Sequence, residues 1–413
     1  MFSILSALLG LSPPPAWPRG LTGHVVRGIA RAVREETSLG GARGGARAAA
    51  RLAALVANEL VIFPARMVPF AARTLRYRRA QMREVKLGER VLEVYQRGGG
   101  DGPLILYVHG GSWGQGAPWN YALMARRLLD GGAARVAVAQ YGLFPAADVD
   151  EMVGDLDAAL RWAEAEAGGS EVRLVGQSAG AHLCALWLAR RAGAARLRGE
   201  PVGWLPSKFV ALSGVYDIAA HFAHENTRLV HWLSPMWLAM AGRRGESAAD
   251  DDSFARLVLE RAGLGGAAVP PSAAPDILAA EGVDEDAVAR AAELDGGCER
   301  KGEWDRAALA NWCAASPTRL LRLLRLCAPT PLGAAWPPTA VLHAADDGTV
   351  PVRSAREFVD ALSKAGADVR TLEYARGGHG EIPLALMESA PLAEVEPREL
   401  GELCRAFVEE AAA

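Results

Sequence analysis

The chain has 413 residues, 50% of them hydrophobic and 23% charged, with a formal net charge of −3. That is globular composition, long enough for one large α/β domain with an insertion or for two domains, and it gives no reason to expect nucleic acid as a partner. Five scattered cysteines (Cys184, Cys298, Cys313, Cys327, Cys404), odd in number and without C-x-x-C spacing, fit reduced intracellular thiols rather than a disulfide framework or a zinc site.

Met1 to Leu11 is a short apolar run cut off by Pro13-Pro14-Pro15, and Arg19, Arg27, Arg31 and Arg34 follow before the first acid, Glu35. Neither the basic start nor the small-residue cleavage site of a secretory signal stands out, and an organelle transit peptide stays open although the segment is not Ser-rich. Gly40 to Arg51 is Gly/Ala/Arg low complexity. Leu52 to Ala72 is mostly apolar but broken by Glu59, Pro64 and Arg66, short of the ~20 clean residues a membrane span requires. A helix lying on a membrane or packing on the domain is expected there. Residues 1–80 therefore form an N-terminal basic and apolar segment. The expectation for location is intracellular, with ER or Golgi membrane contact or organelle targeting open.

Strand-like alternation begins at Met82–Val85 and repeats at Val91–Tyr95, and Leu104–Val108 is a continuous apolar run of the kind a buried parallel strand shows. It ends in His109-Gly110-Gly111-Ser112-Trp113-Gly114-Gln115-Gly116. Helical spacing from Tyr121 to Leu129, a strand at Val136–Ala139 and helical spacing from Val149 to Ala165 come next. The apolar run Val172–Val175 then closes in Gly176-Gln177-Ser178-Ala179-Gly180, with an Ala/Leu-rich helical pattern at once behind it. That strand–turn–helix context is the one in which G-x-S-x-G becomes a nucleophile elbow. Cys184, on that helix, reads as a core residue. Phe209–Ser213, Thr339–His343 and Val369–Tyr374 are further strands, and a final helix is expected near Leu400 to Glu410. Strands alternating with helices predict an α/β architecture, a mostly parallel sheet covered on both faces.

Between Tyr216 and Trp336 the rhythm breaks, with Asp250-Asp251-Asp252, Gly263 to Ala274 and the acidic Glu281 to Asp295 reading as a loosely packed insertion. The core is thus expected in two parts, 81–215 and 337–413, around a cap at 216–336. Within it Trp232, Met236, Trp237 and Met240 recur at about helical spacing. They read either as helix core or, with Trp113, as the wall of a substrate pocket. No internal repeat is visible.

The chemistry converges on acyl transfer. The glycines after His109 let a loop aim the amides of Gly110 and Gly111 into a cavity, where with the amide of Ala179 they would form an oxyanion hole. Ser178 needs a general base, and His379, in Gly377-Gly378-His379-Gly380 after the last strand, is the candidate. His182 falls in the elbow helix, His221, His224 and His231 in the insertion, and His109 reads as structural. Asp346-Asp347-Gly348-Thr349-Val350-Pro351 offers two acids to orient the histidine; D-x-x-V-P spacing favours Asp347, with Asp346 the alternative. The order Ser178, Asp347, His379 is that of α/β-hydrolases rather than of chymotrypsin or subtilisin. Such a mechanism calls for no metal and no organic cofactor.

Taken together, His109-Gly110-Gly111-Ser112-Trp113, Gln140-Tyr141-Gly142-Leu143-Phe144-Pro145, Val175 to His182, Leu212-Ser213-Gly214-Val215-Tyr216-Asp217 and Leu233-Ser234-Pro235-Met236 resemble the isoprenylcysteine alpha-carbonyl methylesterases. The resemblance covers roughly Val85 to Leu238 and Ser316 to Glu381. It implies an α/β-hydrolase fold and a serine esterase that demethylates prenylated C-terminal cysteines. Related kynurenine formamidases and carboxylesterases share parts of the pattern, so an arylformamide or a simpler ester is the alternative substrate. A ligand receptor without turnover is the alternative in another class, disfavoured by the presence of His379. Two departures stand out: the family's Asp-Tyr-Arg loop reads Gln140-Tyr141-Gly142 here, so an internal ion pair is expected to be missing, and the insertion from about Ala241 to Ala315 has no family counterpart.

Overall fold

A computed structural model of the protein describes residues 30, 33–34, 37, 41–51, 63–97, 101–228, 230, 234–240, 254–264, 309–388 and 390–412. Its strands are β1 (Met82–Leu87), β2 (Arg90–Gln96), β3 (Leu104–Val108), β4 (Arg135–Ala139), β5 (Val172–Gln177), β6 (Lys208–Leu212), β7 (Thr339–Ala344) and β8 (Val369–Tyr374). The helices used below are α1 (Phe63–Gln81), α2 (Ala122–Asp130), α3 (Val149–Ala167), α4 (Ala179–Arg198), α5 (Ile218–Thr227), α6 (Met236–Ala239), α7 (Phe254–Arg261), α8 (Pro317–Cys327), α9 (Val352–Lys364), α10 (Glu381–Met387) and α11 (Arg398–Ala412).

The strands form one sheet in the order β1-β2-β4-β3-β5-β6-β7-β8. The β1–β2 and β2–β4 pairs are antiparallel, and from β4 to β8 every pair is parallel. All five residues of β3 are buried, because helices cover both faces and the period-2 alternation of side chains serves two cores. Leu104, Leu106 and Val108 face the cluster that includes Leu156 and Leu160 of α3 and Leu183 and Leu186 of α4. Ile105 and Tyr107 face the opposite one, with Leu128 of α2 and Leu403 and Phe407 of α11.

This topology places the site. The chain leaves β3 toward β4 on one side and returns to β5 on the other, so the connections diverge at the carboxyl ends of β3 and β5. Ligands of open α/β sheets bind at such a switch point. Helix α3 is fixed at its start by a capping box, with Asp148 accepting from the amides of Asp150 and Glu151 and Glu151 accepting from the amide of Asp148. It ends at Gly168 in the left-handed conformation.

Two segments sit differently from the sequence expectation. Helix α8, placed with the cap by the broken rhythm, lies in the helical layer beside α4, where Leu320, Leu321, Leu323 and Leu324 are buried in the same cluster as Leu183 and Leu186. Its leucines at i, i+1 and i+4 make an apolar stripe, and the helix packs against α4 and α9. In the insertion, Leu257, Val258 and Leu264 join that cluster, and Leu264 occupies the space that a Cβ at Gly193 would need. The acidic stretches 250–252 and 281–295 lie outside the described residues.

At the other end, α1 packs on the domain. Phe70 is buried against Leu123 and Met387, Tyr77 stacks on Tyr95 with ring centroids 5.7 Å apart, and Arg78 Nε lies 2.8 Å from Glu93 Oε1. Among the described residues, no helix is long and apolar enough to cross a membrane.

Candidate active site

Ser178 stands at the β5–α4 junction with φ 54° and ψ −121°, a conformation L-residues avoid. The turn works only because its neighbours lack side chains. A Cβ at Gly176 would come within 2.6 Å of the Ala181 Cα, and one at Gly180 within 2.0 Å of the Val108 carbonyl oxygen. The Ser178 amide donates to the Leu212 carbonyl at 2.9 Å, tying the elbow to the end of β6. Strain of about 1–3 kcal/mol at such a residue is held in place by the surrounding sheet.

Around this serine, loops from β7 and β8 bring two residues far apart in sequence. Ser178 Oγ lies 2.9 Å from His379 Nε2, and His379 Nδ1 lies 2.7 Å from Asp347 Oδ2. A carboxylate at Nδ1 keeps the proton there, so Nε2 is the acceptor facing the serine hydroxyl. The other Asp347 oxygen accepts from the amides of Thr349 and Val350, both at 2.9 Å. Burial raises the Asp347 pKa, but the His379 hydrogen bond and charge, the Val350 amide and His343 outweigh it and hold it below the ordinary carboxylate value. Asp346 points away to the surface, with Oδ2 3.8 Å from Arg376 Nη1.

The loop after β3 closes over Ser178. A Cβ at Gly110 would stand 2.9 Å from the Ser178 Cβ and 2.5 Å from Gln177 Oε1, so only glycine fits. The Gly110 amide donates to Gln177 Oε1 at 3.2 Å and is thereby engaged inside the protein. Gly111, at φ 134°, and Ala179, first in α4, supply the other two amides picked out in the sequence. Trp113 is buried, and its indole N–H donates to His182 Nδ1 at 3.1 Å. His182 in turn donates from Nε2 to the Ala315 carbonyl at 2.7 Å. Trp113 thus braces the loop through the elbow helix. His109 donates from Nδ1 to the Gly110 carbonyl at 2.7 Å and lies between the rings of Tyr121 and Tyr141.

The side chains proposed as a pocket wall divide. Met236 and Met240 are fully buried in the main core cluster, and α6 is only four residues long. Trp232 and the side chain of Trp237 lie outside the described residues. At the tyrosine loop, Gln140 Oε1 accepts from the Val91 amide, and Gly142 leaves room for Arg90 to reach Asp155 at 2.8 Å. That ion pair joins β2 to α3 beside the loop, and Asp155 Oδ2 also accepts from the Gly142 amide at 2.8 Å.

Sequence reasoning missed the bracing residues Gln177, His182 and His343. The signals were present as polar residues where the strand or helix pattern calls for apolar ones. His343 donates from Nε2 to the Val350 carbonyl at 2.8 Å and sits 3.6 Å from Asp347 Oδ2, backing the acid loop.

Burial also gives these histidines a thermodynamic signature. The pKa is lowered to about 4 for His109 and His182 and to about 3 for His221, in each case chiefly by desolvation. Glu225 opposes them, pushed up to about 8 by burial. Between roughly pH 4.5 and 6.5 the unfolded chain protonates three histidines, while the folded chain holds one extra proton on Glu225. The three histidines outnumber the one glutamate, so unfolding takes up protons on balance and stability falls as pH drops through that window. Calorimetry from pH 7 to 5 should show a falling Tm; a flat Tm would contradict neutral buried histidines.

The family model Abhydrolase_3, described as an alpha/beta hydrolase fold, matches residues 105–269. Over 134 residues the chain is 34% identical to the probable isoprenylcysteine alpha-carbonyl methylesterase ICME of Oryza sativa subsp. japonica, covering 30% of this chain and 32% of that protein. It is also 34% identical over 129 residues to an acetyl-hydrolase of Streptomyces hygroscopicus, covering 31% of this chain and 41% of that one. The matches thus span about a third to two fifths of these relatives' lengths. A solved esterase of the bacterial hormone-sensitive lipase family superposes with a TM-score of 0.49 at 19% identity, covering 80% of this chain and 84% of that chain.

Proposed function

We propose that this chain, an α/β-hydrolase by its family match and sheet order, is a serine carboxylester hydrolase. The observation that carries the reading is the hydrogen-bonded chain Ser178–His379–Asp347, at 2.9 and 2.7 Å, on a serine held at positive φ. A serine hydroxyl is a weak nucleophile until its proton can leave, and His379 Nε2 is within reach to take it. Ser178 Oγ attacks the ester carbonyl, and His379 passes the proton to the departing alcohol. Asp347 keeps the imidazole in the acting tautomer and stabilises its cationic form. With the Gly110 amide engaged by Gln177, the oxyanion falls to the amides of Gly111 and Ala179, each worth on the order of 3 kcal/mol. Gly110 then contributes by its lack of a side chain.

For the substrate, we take a prenylcysteine methyl ester as the first choice. The partial similarity to a plant methylesterase supports it, as does the elbow sequence Val175 to His182. The purified chain should be assayed on N-acetyl-S-farnesylcysteine methyl ester, N-formylkynurenine and p-nitrophenyl acetate. Turnover of the acetate without the farnesyl ester would remove the prenyl substrate and keep the esterase, and the similarity to an acetyl-hydrolase would then guide the choice. Peripheral membrane contact belongs to the same proposal, supported by exposed Arg76 and Arg79 on α1. Failure to co-sediment with anionic vesicles would end it.

A further inference from the structure

Helix α5 follows β6 on the active-site side of the sheet and lies against the loop that carries Asp347. His224 donates from Nε2 to the Gly348 carbonyl at 3.3 Å, and Arg228, just beyond the helix, reaches the Thr349 carbonyl at 3.4 Å. One face of this helix carries His221 and Glu225, a turn apart, with His221 Nε2 3.6 Å from Glu225 Oε1. Both residues are more than nine-tenths buried, at 6% and 8% exposure. Ser234 hydrogen-bonds the Glu225 carboxyl, yet among the described residues His221 Nδ1 and Glu225 Oε2 have no hydrogen-bond partner. Two such atoms in one buried pair are costly, about 1–3 kcal/mol each, and are rarely left without a purpose. The triad is close enough for the charges of His379 and Asp347 to act on His221, together with those of His224 and Arg228.

We propose that His221 and Glu225 form a subsite for a neutral N–H donor on the acyl part of the substrate, as carried by an N-acylamino acid ester. This rests on the ester-hydrolase reading above. The chemistry follows from the orphaned atoms. With Nε2–H turned toward Glu225 Oε1, His221 Nδ1 is an acceptor, and Oε2 of the uncharged carboxyl beside it carries an O–H and keeps a lone pair. What completes them is a group with an N–H for Nδ1 and an oxygen for the O–H, as an amide has. Burial holds the Glu225 carboxyl mostly uncharged near neutrality, and Arg228 stands nearby as a fixed cation, so an amide N–H suits the site better than an ammonium group. A small alcohol such as methanol keeps no N–H or O–H once esterified, which puts the donor on the acyl side.

The test is a pair of methyl esters that differ only in the donor: N-acetylmethionine methyl ester and methyl 4-(methylthio)butanoate. After each kcat/KM is divided by the ester's alkaline hydrolysis rate, the wild type should favour the acetamido ester by at least about tenfold, one well-made hydrogen bond to a buried acceptor. Glu225→Leu should erase most of that ratio, and Glu225→Gln, which keeps a carbonyl acceptor, should retain a large part. Because both esters meet the same folded molecules, the ratio is insensitive to partial unfolding of a variant. A wild-type ratio near one, or a ratio unchanged in Glu225→Leu, overturns the subsite. Cleavage of p-nitrophenyl acetate without N-acetylmethionine methyl ester also overturns it while leaving the hydrolase. Silence on every ester overturns the hydrolase reading itself.

Discussion

Ser178→Ala is expected to lower kcat on p-nitrophenyl acetate by about 10⁶-fold, the scale seen when the nucleophile of a serine triad is removed. The same change should abolish labelling by a fluorophosphonate probe. The fold should survive, because the substitution deletes one oxygen and leaves the backbone bond from Ser178 to Leu212 in place. Alanine at φ 54° is no better accommodated than serine, so the strain stays and the melting temperature should move little. Equal labelling of wild type and variant would sink the assignment of the nucleophile.

The second large effect separates two neighbouring acids. Asp347→Asn should reduce kcat by roughly 10⁴-fold, since an amide facing His379 Nδ1 no longer stabilises the proton there and admits the wrong tautomer. Asp346→Asn removes only an exposed partner 3.8 Å from Arg376, a contact of little energetic weight, and should leave kcat nearly intact. The pH profile offers a further check. Hydrogen bonds and neighbouring charge hold the Asp347 pKa below its ordinary value, so the carboxylate stays ionised through the mildly acidic range. If Asp346→Asn is the crippling change, the register of this loop differs from the one described.

The sequence by itself determined the features governed by short-range rules. A run such as Leu104–Val108 can only be a strand buried on both faces, and period 2 then divides its residues between two cores. Gly176-Gln177-Ser178-Ala179-Gly180 between strand and helix specifies an elbow, because the two glycine positions have no room for a Cβ. The order of Ser178, Asp347 and His379 carried the α/β-hydrolase reading for the same reason: each residue sits just past a strand end, where local pattern is legible.

Tertiary structure decided whatever depends on which groups meet across long stretches of chain. The D-x-x-V-P spacing favours Asp347 over Asp346, but it is the path of the loop that turns one toward His379 and the other to solvent. The engagement of the Gly110 amide depends on Gln177, 67 positions away, whose polar side chain breaks the strand pattern to reach it. Helix α8 reads as cap by its place in the chain but packs as core, because Leu320, Leu321 and Leu324 find the α4 surface only after the insertion has returned. His221 and Glu225 show the limit most clearly. Spacing places them on one helix face, whereas the burial of His221 Nδ1 and Glu225 Oε2 without a partner among the described residues arises only when that face is set against the Asp347 loop. Periodicity and backbone sterics act over a few residues, but the dielectric and hydrogen-bond surroundings of a side chain are set by the whole fold.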